Sequence, residues 1–316
     1  MKDKQKILIT DKIHPLLREG LEHDGFAVNY NPAISPDEVL QIIHDYEGLV
    51  VNSKIYVGKV MLDRALKLKF VCRAGSGLEI IDLDYAKKKN IIVFNSPEGN
   101  RNAVAEHALG MLLNLMNNIS VANEQVKNYQ WNREANRGHE ISGKTIALIA
   151  YGNTAKAFSK LLKGFDVTIL AYDKYYQGFA NDFVDESSLE EIFKRTDIVS
   201  IHLPLTPETE YMIDYKFLSS FKKPHWLINT SRGKVLRTED LMQCLNEGKI
   251  LGAALDVLEN EKLERISEDE KQIFEKLISD KRILLTPHIA GWTFESRKRI
   301  AEVLLQKIRN IYPSPV

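Results

Sequence analysis

The chain has 316 residues, of which 44% are hydrophobic and 27% charged, which suffices for two ordinary globular domains. The chain has 43 basic residues (lysine plus arginine) and 43 acidic residues (aspartate plus glutamate), so its formal net charge is zero. A zero net charge argues against nucleic acid or an anionic membrane as partner. No apolar stretch suits a membrane helix or a signal peptide, and the two cysteines, Cys72 and Cys244, lack metal-ligand spacing. We therefore expect a cytoplasmic protein with two buried thiols and no metal site.

The first 95 residues alternate short β-branched runs with amphipathic stretches. The runs predict strands at 6–10, 27–30, 48–51, 70–72 and 91–94. The stretches between them predict helices at 14–21, 35–43, 59–66 and 83–89. This alternation predicts a parallel sheet that is covered by helices on both faces.

A long helix is predicted over residues 102–128. Its apolar side chains recur at helical spacing and are Ala105, Leu109, Leu112, Leu113 and Met116. The favoured interpretation is that this stripe packs into the core, and the alternative is a dimer surface.

A second alternating series begins at Lys144. Its predicted strands are 145–149, 167–171, 198–202, 226–229, 252–257 and 283–285. Its predicted helices are 154–162, 189–194, 214–220, 239–246 and 267–278, and one more helix covers 294–311. Gly164 and Gly248 stand where helix C-terminal glycines belong. Six strands with crossover helices are typical of a doubly wound dinucleotide-binding domain.

The strand at 145–149 leads into a degenerate glycine-rich turn. The three positions of a Gly-x-Gly-x-x-Gly fingerprint read Ala150, Gly152 and Ala155. The middle glycine, which lets the backbone approach a pyrophosphate, is retained. Asp173 follows the next strand, 21 residues after Gly152, where a carboxylate binds the adenosine ribose and repels a 2′-phosphate. Asp173 could also be only a solvated charge at the end of a strand. The favoured interpretation is that it belongs to an NAD site.

Three polar residues follow apolar strands of the second series: Arg232, Glu261 and His288. The carboxyl ends of parallel strands meet at one edge of a sheet, so the three can converge there. Oxidation of an alcohol needs a base, for which histidine suits, and a carboxylate that orients the imidazole. Arginine binds a carboxylate as a fork. The set therefore indicates a dehydrogenase acting on a hydroxy acid.

Several segments together resemble the D-isomer-specific 2-hydroxyacid dehydrogenases, most closely the phosphoglycerate dehydrogenase branch. They are RAGSGLEIID (73–82), NSPEGNRNAVAEHALGMLL (95–113), HLPLTPET (202–209), NTSRGKVL (229–236), GAALDV (252–257) and TPHIAGWT (286–293). The resemblance implies two doubly wound parallel-sheet domains, a Rossmann-type NAD-binding domain (101–293) inserted in a flavodoxin-like substrate domain (1–100 and 294–316). A homodimer is also expected from the family.

The same resemblance implies roles for individual residues. Arg232 would bind substrate, Glu261 would be the partner of His288, and His288 would be the acid/base. The backbone amides of Ser76 and Gly77 would hold the substrate carboxylate. The residues expected to bind the cofactor are Gly152, Asn153, Thr154, Asp173, His202, Pro204, Thr209, Thr230 and Asp256, the last through the nicotinamide carboxamide. His107 is interpreted as a core or interface residue rather than a catalytic one.

The substrate expectation depends on where the chain departs from the family. Asn52 stands where the phosphoglycerate enzymes tend to have arginine, while Arg73 and Arg133 are candidate phosphate ligands and Lys54 a candidate substitute. Further departures are Ala150, Lys262 in place of proline, and Glu79-Ile80 in place of Asp-Asn. Because the chain ends at Val316, we expect no appended serine-sensing domain.

Three activities remain open at this point. The first is oxidation of 3-phosphoglycerate in serine biosynthesis, and the second is reduction of glyoxylate or hydroxypyruvate. The third is not an enzyme activity but NAD sensing by a binding protein with the same fold. This hypothesis is based on the alanine at position 150, which replaces the first glycine of the fingerprint.

Overall fold

Two parallel β-sheets organise the chain. The computed structural model describes residues 4–312 and divides into two units. The first unit holds the residues up to Arg101 and those from Trp292 onwards, and the second unit is Asn102–Gly291. Among the described residues, no helix is both long enough and apolar enough to span a membrane.

The first unit contains a five-stranded sheet. Its strands are β1 (Lys6–Ile9), β2 (Ala27–Tyr30), β3 (Gly48–Val51), β4 (Phe70–Arg73) and β5 (Ile92–Phe94). All pairs are parallel and the order is β2-β1-β3-β4-β5, the flavodoxin-like arrangement. Its helices are α1 (Pro15–His23), α2 (Pro36–Ile42), α3 (Lys59–Arg64) and α4 (Leu83–Lys88). The C-terminal helix, α12 (Phe294–Ile311), also belongs to this unit.

Alternate residues of β1 face opposite sides of the first sheet, and both sides are buried. Ile7 and Ile9 pack into one apolar cluster, which includes residues of α12, whereas Leu8 packs into the other. A strand buried on both faces must be apolar at nearly every position, which explains the run KILI. Thr293 begins α12 with a capping box, because its hydroxyl accepts a hydrogen bond from the Ser296 N–H.

The second unit contains a seven-stranded sheet, also parallel throughout. Its strands are β6 (Thr145–Ile149), β7 (Thr168–Tyr172), β8 (Asp185–Glu186), β9 (Ile198–Ile201), β10 (His225–Asn229), β11 (Ile250–Leu255) and β12 (Ile283–Leu285). Its helices are α5 (Pro97–Met116), α6 (Ile119–Lys127), α7 (Asn153–Leu162), α8 (Leu189–Arg195), α9 (Tyr215–Ser219), α10 (Thr238–Asn246) and α11 (Glu268–Ser279). Helix α5 begins in the first unit and belongs to the second unit from Asn102 onwards.

The strand order of the second sheet is β12-β11-β10-β9-β6-β7-β8. The chain leaves β6 towards one edge of the sheet and leaves β9 towards the other, so the order reverses between these two strands. In doubly wound sheets a ligand binds outside the carboxyl ends of the strands at such a reversal. The fold therefore places the candidate binding crevice of this unit beyond Ile149 and Ile201.

The structure corrects three details of the predicted elements. The helix predicted over 102–128 is two helices, because Asn118 has a left-handed backbone (φ 54°) that ends the α-helical path between α5 and α6. The second sheet has a seventh strand, β8, whose two exposed residues carry no apolar pattern. Asp166 (φ 52°), and not Gly164, takes the left-handed conformation after α7, whereas Gly248 (φ 70°) does so after α10 as predicted.

The core interpretation of the α5 stripe is confirmed. Ala105, Leu112 and Met116 are buried in the apolar cluster on one side of the second sheet, and Leu109 and Leu113 pack against it. The cysteines are buried as well, Cys72 in β4 and Cys244 in α10, and both are free thiols.

Candidate active site

The turn after β6 keeps the conformation of a glycine-rich loop despite its substitution. Ala150 has φ 71°, in the left-handed region, and its N–H donates to the Tyr172 carbonyl at 2.8 Å. Gly152 then precedes α7 with open space around its Cα, and no side chain caps that helix. The unpaired N–H groups of the first turn of α7 are therefore available to an anion.

Asp173, at the end of β7, is fixed by the neighbouring backbone. Its Oδ2 accepts the Tyr151 N–H at 2.9 Å, and its Oδ1 accepts the N–H groups of Tyr175 at 2.9 Å and Tyr176 at 3.0 Å. Although burial raises the pKa of Asp173, these three hydrogen bonds and the nearby Lys156 lower it below the ordinary value overall. The carboxylate stays charged, and Oδ2 retains a lone pair for a hydroxyl donor.

A buried histidine at the sheet's reversal links the end of β9 to the first turn of α7. His202, directly after β9, lies 3.3 Å from the Thr154 hydroxyl through Nδ1 and 2.9 Å from the Ser200 hydroxyl through Nε2. Burial lowers the pKa of His202 to about 4, so the ring is neutral at pH 7. His202 therefore orders the start of α7. In the loop that follows, the Thr209 hydroxyl donates to the Pro204 carbonyl at 2.6 Å.

The loop after β10 carries Arg232 and lies against the loop after β11. Asn229 accepts the Ser231 N–H at 3.0 Å and donates to the Arg232 carbonyl at 3.0 Å, which fixes the turn. A Cβ on Gly233 would lie 1.8 Å from the Leu258 carbonyl oxygen, so only glycine permits this approach. The Thr230 hydroxyl is buried and unpartnered among the described residues.

His288 and Glu261 form the predicted pair. His288 Nδ1 lies 2.9 Å from Glu261 Oε2, and the two side chains are 48% and 44% exposed, so substrate can reach the ring. His288 has a left-handed backbone (φ 54°), and its N–H donates to the Asp256 carbonyl at 2.7 Å. With Nδ1 bound by the carboxylate, Nε2 is the nitrogen left to exchange a proton.

Asp256 holds the segment on which His288 stands. Its carboxylate is buried and accepts the N–H groups of Ile289 at Oδ1 and Ala290 at Oδ2, both at 2.9 Å. Thr286 also donates its hydroxyl proton to Oδ1, at 2.5 Å. Asp256 thus has a structural role next to the cofactor role expected from the sequence.

In the first unit, the loop after β4 carries Ser76 and Gly77. The Ser76 hydroxyl donates to Asn100 Oδ1 and the Ser76 carbonyl accepts from Asn95 Nδ2, both at 2.6 Å. Ser96 donates its N–H to the Gly75 carbonyl at 2.8 Å. Among residues 4–312, no hydrogen bond engages the N–H groups of Ser76 and Gly77. These two donors can therefore bind a carboxylate.

The candidate phosphate ligands have unequal positions. The Arg73 guanidinium lies beside Gly75, where a Cβ would be 1.3 Å from Nη1. Lys54, the candidate substitute, donates its ammonium protons to the carbonyls of Pro32 and Ile34, both at 2.8 Å. The Asn52 N–H donates to Asp11 Oδ2 at 3.0 Å. Arg133 lies exposed after α6.

Sequence reasoning missed the residues that hold these loops. Asn95, Asn100 and Thr286 all lie in segments that carry the family resemblance, but no spacing rule connected them to their partners. For Thr286, a polar side chain directly after an apolar strand was the available signal. His107, interpreted as core or interface, is another of the missed residues, and its ring lies 3.1 Å from the Thr286 hydroxyl.

Comparison with known proteins shows the family to which the chain belongs. Residues 109–290 match the sequence model of the D-isomer specific 2-hydroxyacid dehydrogenase, NAD binding domain. The D-3-phosphoglycerate dehydrogenase of Methanocaldococcus jannaschii is 32% identical over 97% of this chain, which spans only 57% of that relative. The hydroxypyruvate reductase of Thermotoga maritima is 34% identical over 87% of this chain and 88% of its own length.

Solved structures show the same fold. A D-lactate dehydrogenase from Aquifex aeolicus, complexed with NAD and lactic acid, superposes with a TM-score of 0.82 at 26% identity, covering 98% of this chain and 95% of that one. A glyoxylate reductase from Paecilomyes thermophila superposes with a TM-score of 0.87 at 21% identity, covering 98% of this chain and 96% of that one.

Proposed function

The chain belongs to the D-isomer-specific 2-hydroxyacid dehydrogenases, and on that premise we propose that it interconverts a small D-2-hydroxy acid and its 2-oxo acid with NAD. The observation that carries the proposal is the His288–Glu261 pair, 2.9 Å apart, on an accessible loop at the carboxyl edge of the NAD-binding sheet. This chain spans only part of the phosphoglycerate dehydrogenases it resembles, so the reaction is proposed for the portion in hand.

The residues of the second unit fit the dinucleotide. The uncapped start of α7 beside the open face of Gly152 suits the pyrophosphate, and the charged Asp173 suits a ribose hydroxyl and repels a 2′-phosphate. Asn153 and Thr154 form the first turn of α7, and the unpartnered Thr230 hydroxyl and Asp256 Oδ2 are further hydrogen-bonding groups. When bound, the nicotinamide carries the hydride of the reaction.

The catalytic roles follow from the hydrogen bonds. His288 takes the hydroxyl proton at Nε2 when the alcohol is oxidised and returns it when the 2-oxo acid is reduced. Glu261 keeps the ring oriented through Nδ1 and stabilises the imidazolium that forms. We assign substrate binding to Arg232, whose planar guanidinium can hold the carboxylate and polarise the adjoining carbonyl. Ser76 and Gly77 contribute two N–H donors for a carboxylate.

We rank 3-phosphoglycerate and phosphohydroxypyruvate first as the substrate pair, which would place the enzyme in serine biosynthesis. The phosphoglycerate dehydrogenase relatives and the position of Arg73 beside the Ser76 loop support this ranking, and Arg133 is the second candidate phosphate ligand. Asn52 and the engaged Lys54 favour the second candidate, an unphosphorylated acid such as hydroxypyruvate or glyoxylate.

We also infer a homodimer that works in the cytoplasm. Support for the dimer comes from α6 and the segment after it, where Ile119, Val126, Tyr129 and Trp131 are exposed by half or more of their surface. Support for the cytoplasm comes from the two free, buried cysteines, which suit a reducing compartment.

The test is NADH oxidation with phosphohydroxypyruvate, hydroxypyruvate, glyoxylate and pyruvate in parallel. We expect His288→Asn to lower kcat by about 100- to 10,000-fold while NADH still binds. The matched control is His44→Asn, because His44 also lies beside a carboxylate, Asp45 at 3.7 Å, on the surface of the first unit. NADH binding without turnover of any acid would overturn the enzyme proposal in favour of the NAD-sensing protein. Turnover of unphosphorylated acids alone would reverse the substrate ranking.

A further inference from the structure

His107 extends the hydrogen-bond network beneath the His288 loop. It lies on α5, its side chain is 23% exposed, and Nε2 is 3.1 Å from the Thr286 hydroxyl oxygen and 3.6 Å from Asp256 Oδ1. Thr286 is the first residue after β12 and begins the segment that carries His288. The histidine is 179 residues from Thr286 in sequence, so only the fold brings them together.

The direction of each hydrogen bond follows from the acceptors. The Thr286 hydroxyl has one proton, and Asp256 Oδ1 at 2.5 Å is a better acceptor than the Met111 sulfur at 3.7 Å. Because the Thr286 hydroxyl donates its proton in the hydrogen bond to Asp256, its oxygen can only accept a hydrogen bond from His107. The His107 ring therefore carries its proton on Nε2, and the chain runs from His107 through Thr286 to Asp256.

The donors at Asp256 then divide unequally between its two oxygens. Oδ1 accepts from Thr286 and from the Ile289 N–H, and its two lone pairs are used. Oδ2 accepts only the Ala290 N–H among the described residues. One lone pair of Oδ2 is left without a donor among the described residues, and its direction is set by the bonds to Oδ1.

We propose that His107 is a positioning residue: through Thr286 it fixes the Asp256 carboxylate, so that Oδ2 receives the carboxamide N–H of the nicotinamide while the 286–290 segment holds His288. The inference rests on the proposed roles of Asp256 and His288. It assigns a function to a histidine that touches neither of the reacting groups. Without the His107 donor, the Thr286 hydroxyl can rotate towards Met111, and Asp256 loses one of its two Oδ1 ligands.

The experiment compares His107→Leu, His107→Gln and Thr286→Val with the parent protein. Glutamine keeps an N–H donor near the position of Nε2, whereas leucine removes the donor and keeps an apolar side chain. His139→Gln is the control, because His139 is an exposed histidine of the same unit that contacts the Trp226 ring. Each protein is titrated with NADH and with ADP-ribose, which lacks the nicotinamide, and kcat and KM are measured with the best substrate.

We expect His107→Leu and Thr286→Val each to weaken NADH binding and to lower kcat by about tenfold, as for one hydrogen bond to a charged group. ADP-ribose affinity should stay within about twofold of the parent, His107→Gln should recover most of both losses, and the double variant should lose little more than either single one. The His139→Gln control should match the parent.

Three results would overturn the inference. The first is an equal loss of ADP-ribose and NADH affinity in His107→Leu, and the second is a His107→Leu variant in which both NADH affinity and kcat are unchanged. The third is a His107→Gln variant with NADH affinity and kcat no better than those of His107→Leu. If His107→Leu does not fold, Thr286→Val decides, because valine keeps the shape of threonine. If the parent turns over no acid, the proposed function fails, but the NADH and ADP-ribose titrations still decide the role of His107.

Discussion

Ala150 and His288, neither of which is glycine, adopt left-handed backbones at the carboxyl edge of the second sheet. Ala150 (φ 71°) opens the turn after β6, and His288 (φ 54°) follows β12. This conformation costs an L-residue roughly 1–2 kcal/mol, so the surroundings must impose it. At His288 they are the Asp256 carbonyl and carboxylate, and at Ala150 the Tyr172 carbonyl. Both positions adjoin groups assigned to cofactor or substrate, where such conformations concentrate.

Ala150→Gly should raise the free energy of unfolding by about 0.5–1 kcal/mol. Glycine removes the left-handed penalty but adds entropy to the unfolded chain, so the net gain is smaller than the penalty itself. NADH affinity should change by less than about threefold, because the turn is already formed with alanine. Urea denaturation and NADH titration measure both quantities. A large gain in NADH affinity would show instead that the alanine distorts the site.

Gly233→Ala should destabilise the protein by about 1–3 kcal/mol and abolish turnover. The new Cβ would meet the Leu258 carbonyl at 1.8 Å, so the loops carrying Arg232 and Glu261 must separate. Gly110→Ala is the matched control, since nothing lies within 4 Å of a Cβ at that exposed position of α5, and alanine favours the helix. A Gly233→Ala enzyme as stable and active as Gly110→Ala would contradict the close packing.

The contact between His288 and Glu261 could be predicted from sequence, but the hydrogen bonds that hold the surrounding loops could not. Arg232, Glu261 and His288 each follow an apolar strand, and parallel strands bring such ends to one edge. The hydrogen bonds of Asn100 and His107 depend on side-chain directions over long sequence separations, 24 residues in one case and 179 in the other. Lys54 shows the same limit, because its hydrogen bonds to two carbonyls could not be foreseen from its charge.

At the scale of elements, strand and helix positions followed the apolar pattern closely, except where the pattern was absent. The strands β6 and β12 and the helix α12 have the predicted bounds, since each has a clear apolar pattern, which is a nearly continuous run in the strands and a helical period in α12. The exposed strand β8 has no such period, and it was missed. The break between α5 and α6 was also missed, because asparagine tolerates the left-handed backbone without disturbing the helical composition around it.

Two adjacent strands of the second sheet bury a neutral histidine each, which makes stability depend on pH. Burial lowers the pKa of His202, after β9, and of His225, in β10, to about 4. In the unfolded chain both protonate near the ordinary value of about 6.5. Between these values the unfolded state binds more protons, so the stability present above pH 6.5 is lost as pH falls towards 4, by up to about 3 kcal/mol for each histidine.

Urea denaturation of the ligand-free protein at pH 7.5, 6.0 and 5.0 measures this loss. The variant His225→Phe should show a shallower decline, because phenylalanine fills the site beside Phe221 and cannot bind a proton. His44→Phe, at an exposed position, should keep the slope of the parent. Equal slopes for parent and His225→Phe would mean that His225 does not titrate as inferred.

At the scale of the whole molecule, four exposed large apolar residues of the second unit lie close together in sequence, namely Ile119, Val126, Tyr129 and Trp131. The apolar stripe of α5, for which a dimer surface was the alternative interpretation, is core, and the four exposed residues lie on α6 and just beyond it. Trp131 is 79% exposed there, and Tyr129 is fully exposed. Large exposed aromatics are the residues that contribute most to protein–protein interfaces, which is why we assign the dimer contact to this segment.

Trp131→Ser should raise the dimer dissociation constant by about 30-fold or more, as for an interface hot spot. Sedimentation equilibrium measures it, and NADH binding should confirm that the variant is folded. Leu66→Ser is the control, because Leu66 is 82% exposed in the first unit, away from this segment in sequence and unit. A parent protein that sediments as a monomer, or a Trp131→Ser variant that associates as tightly as the parent, would contradict the assignment.

Both cysteines of the chain are buried, and burial raises the pKa of the Cys72 thiol and that of the Cys244 thiol, the latter to about 11. Only the thiolate reacts readily with alkylating reagents, so the native protein should be almost inert to maleimides. The native protein should therefore give almost no background in site-directed labelling. If one cysteine were introduced on a surface loop of each unit, these two thiols alone would react with the dye. Fluorescence energy transfer between the two labels would then report the distance between the units in solution, with and without NAD.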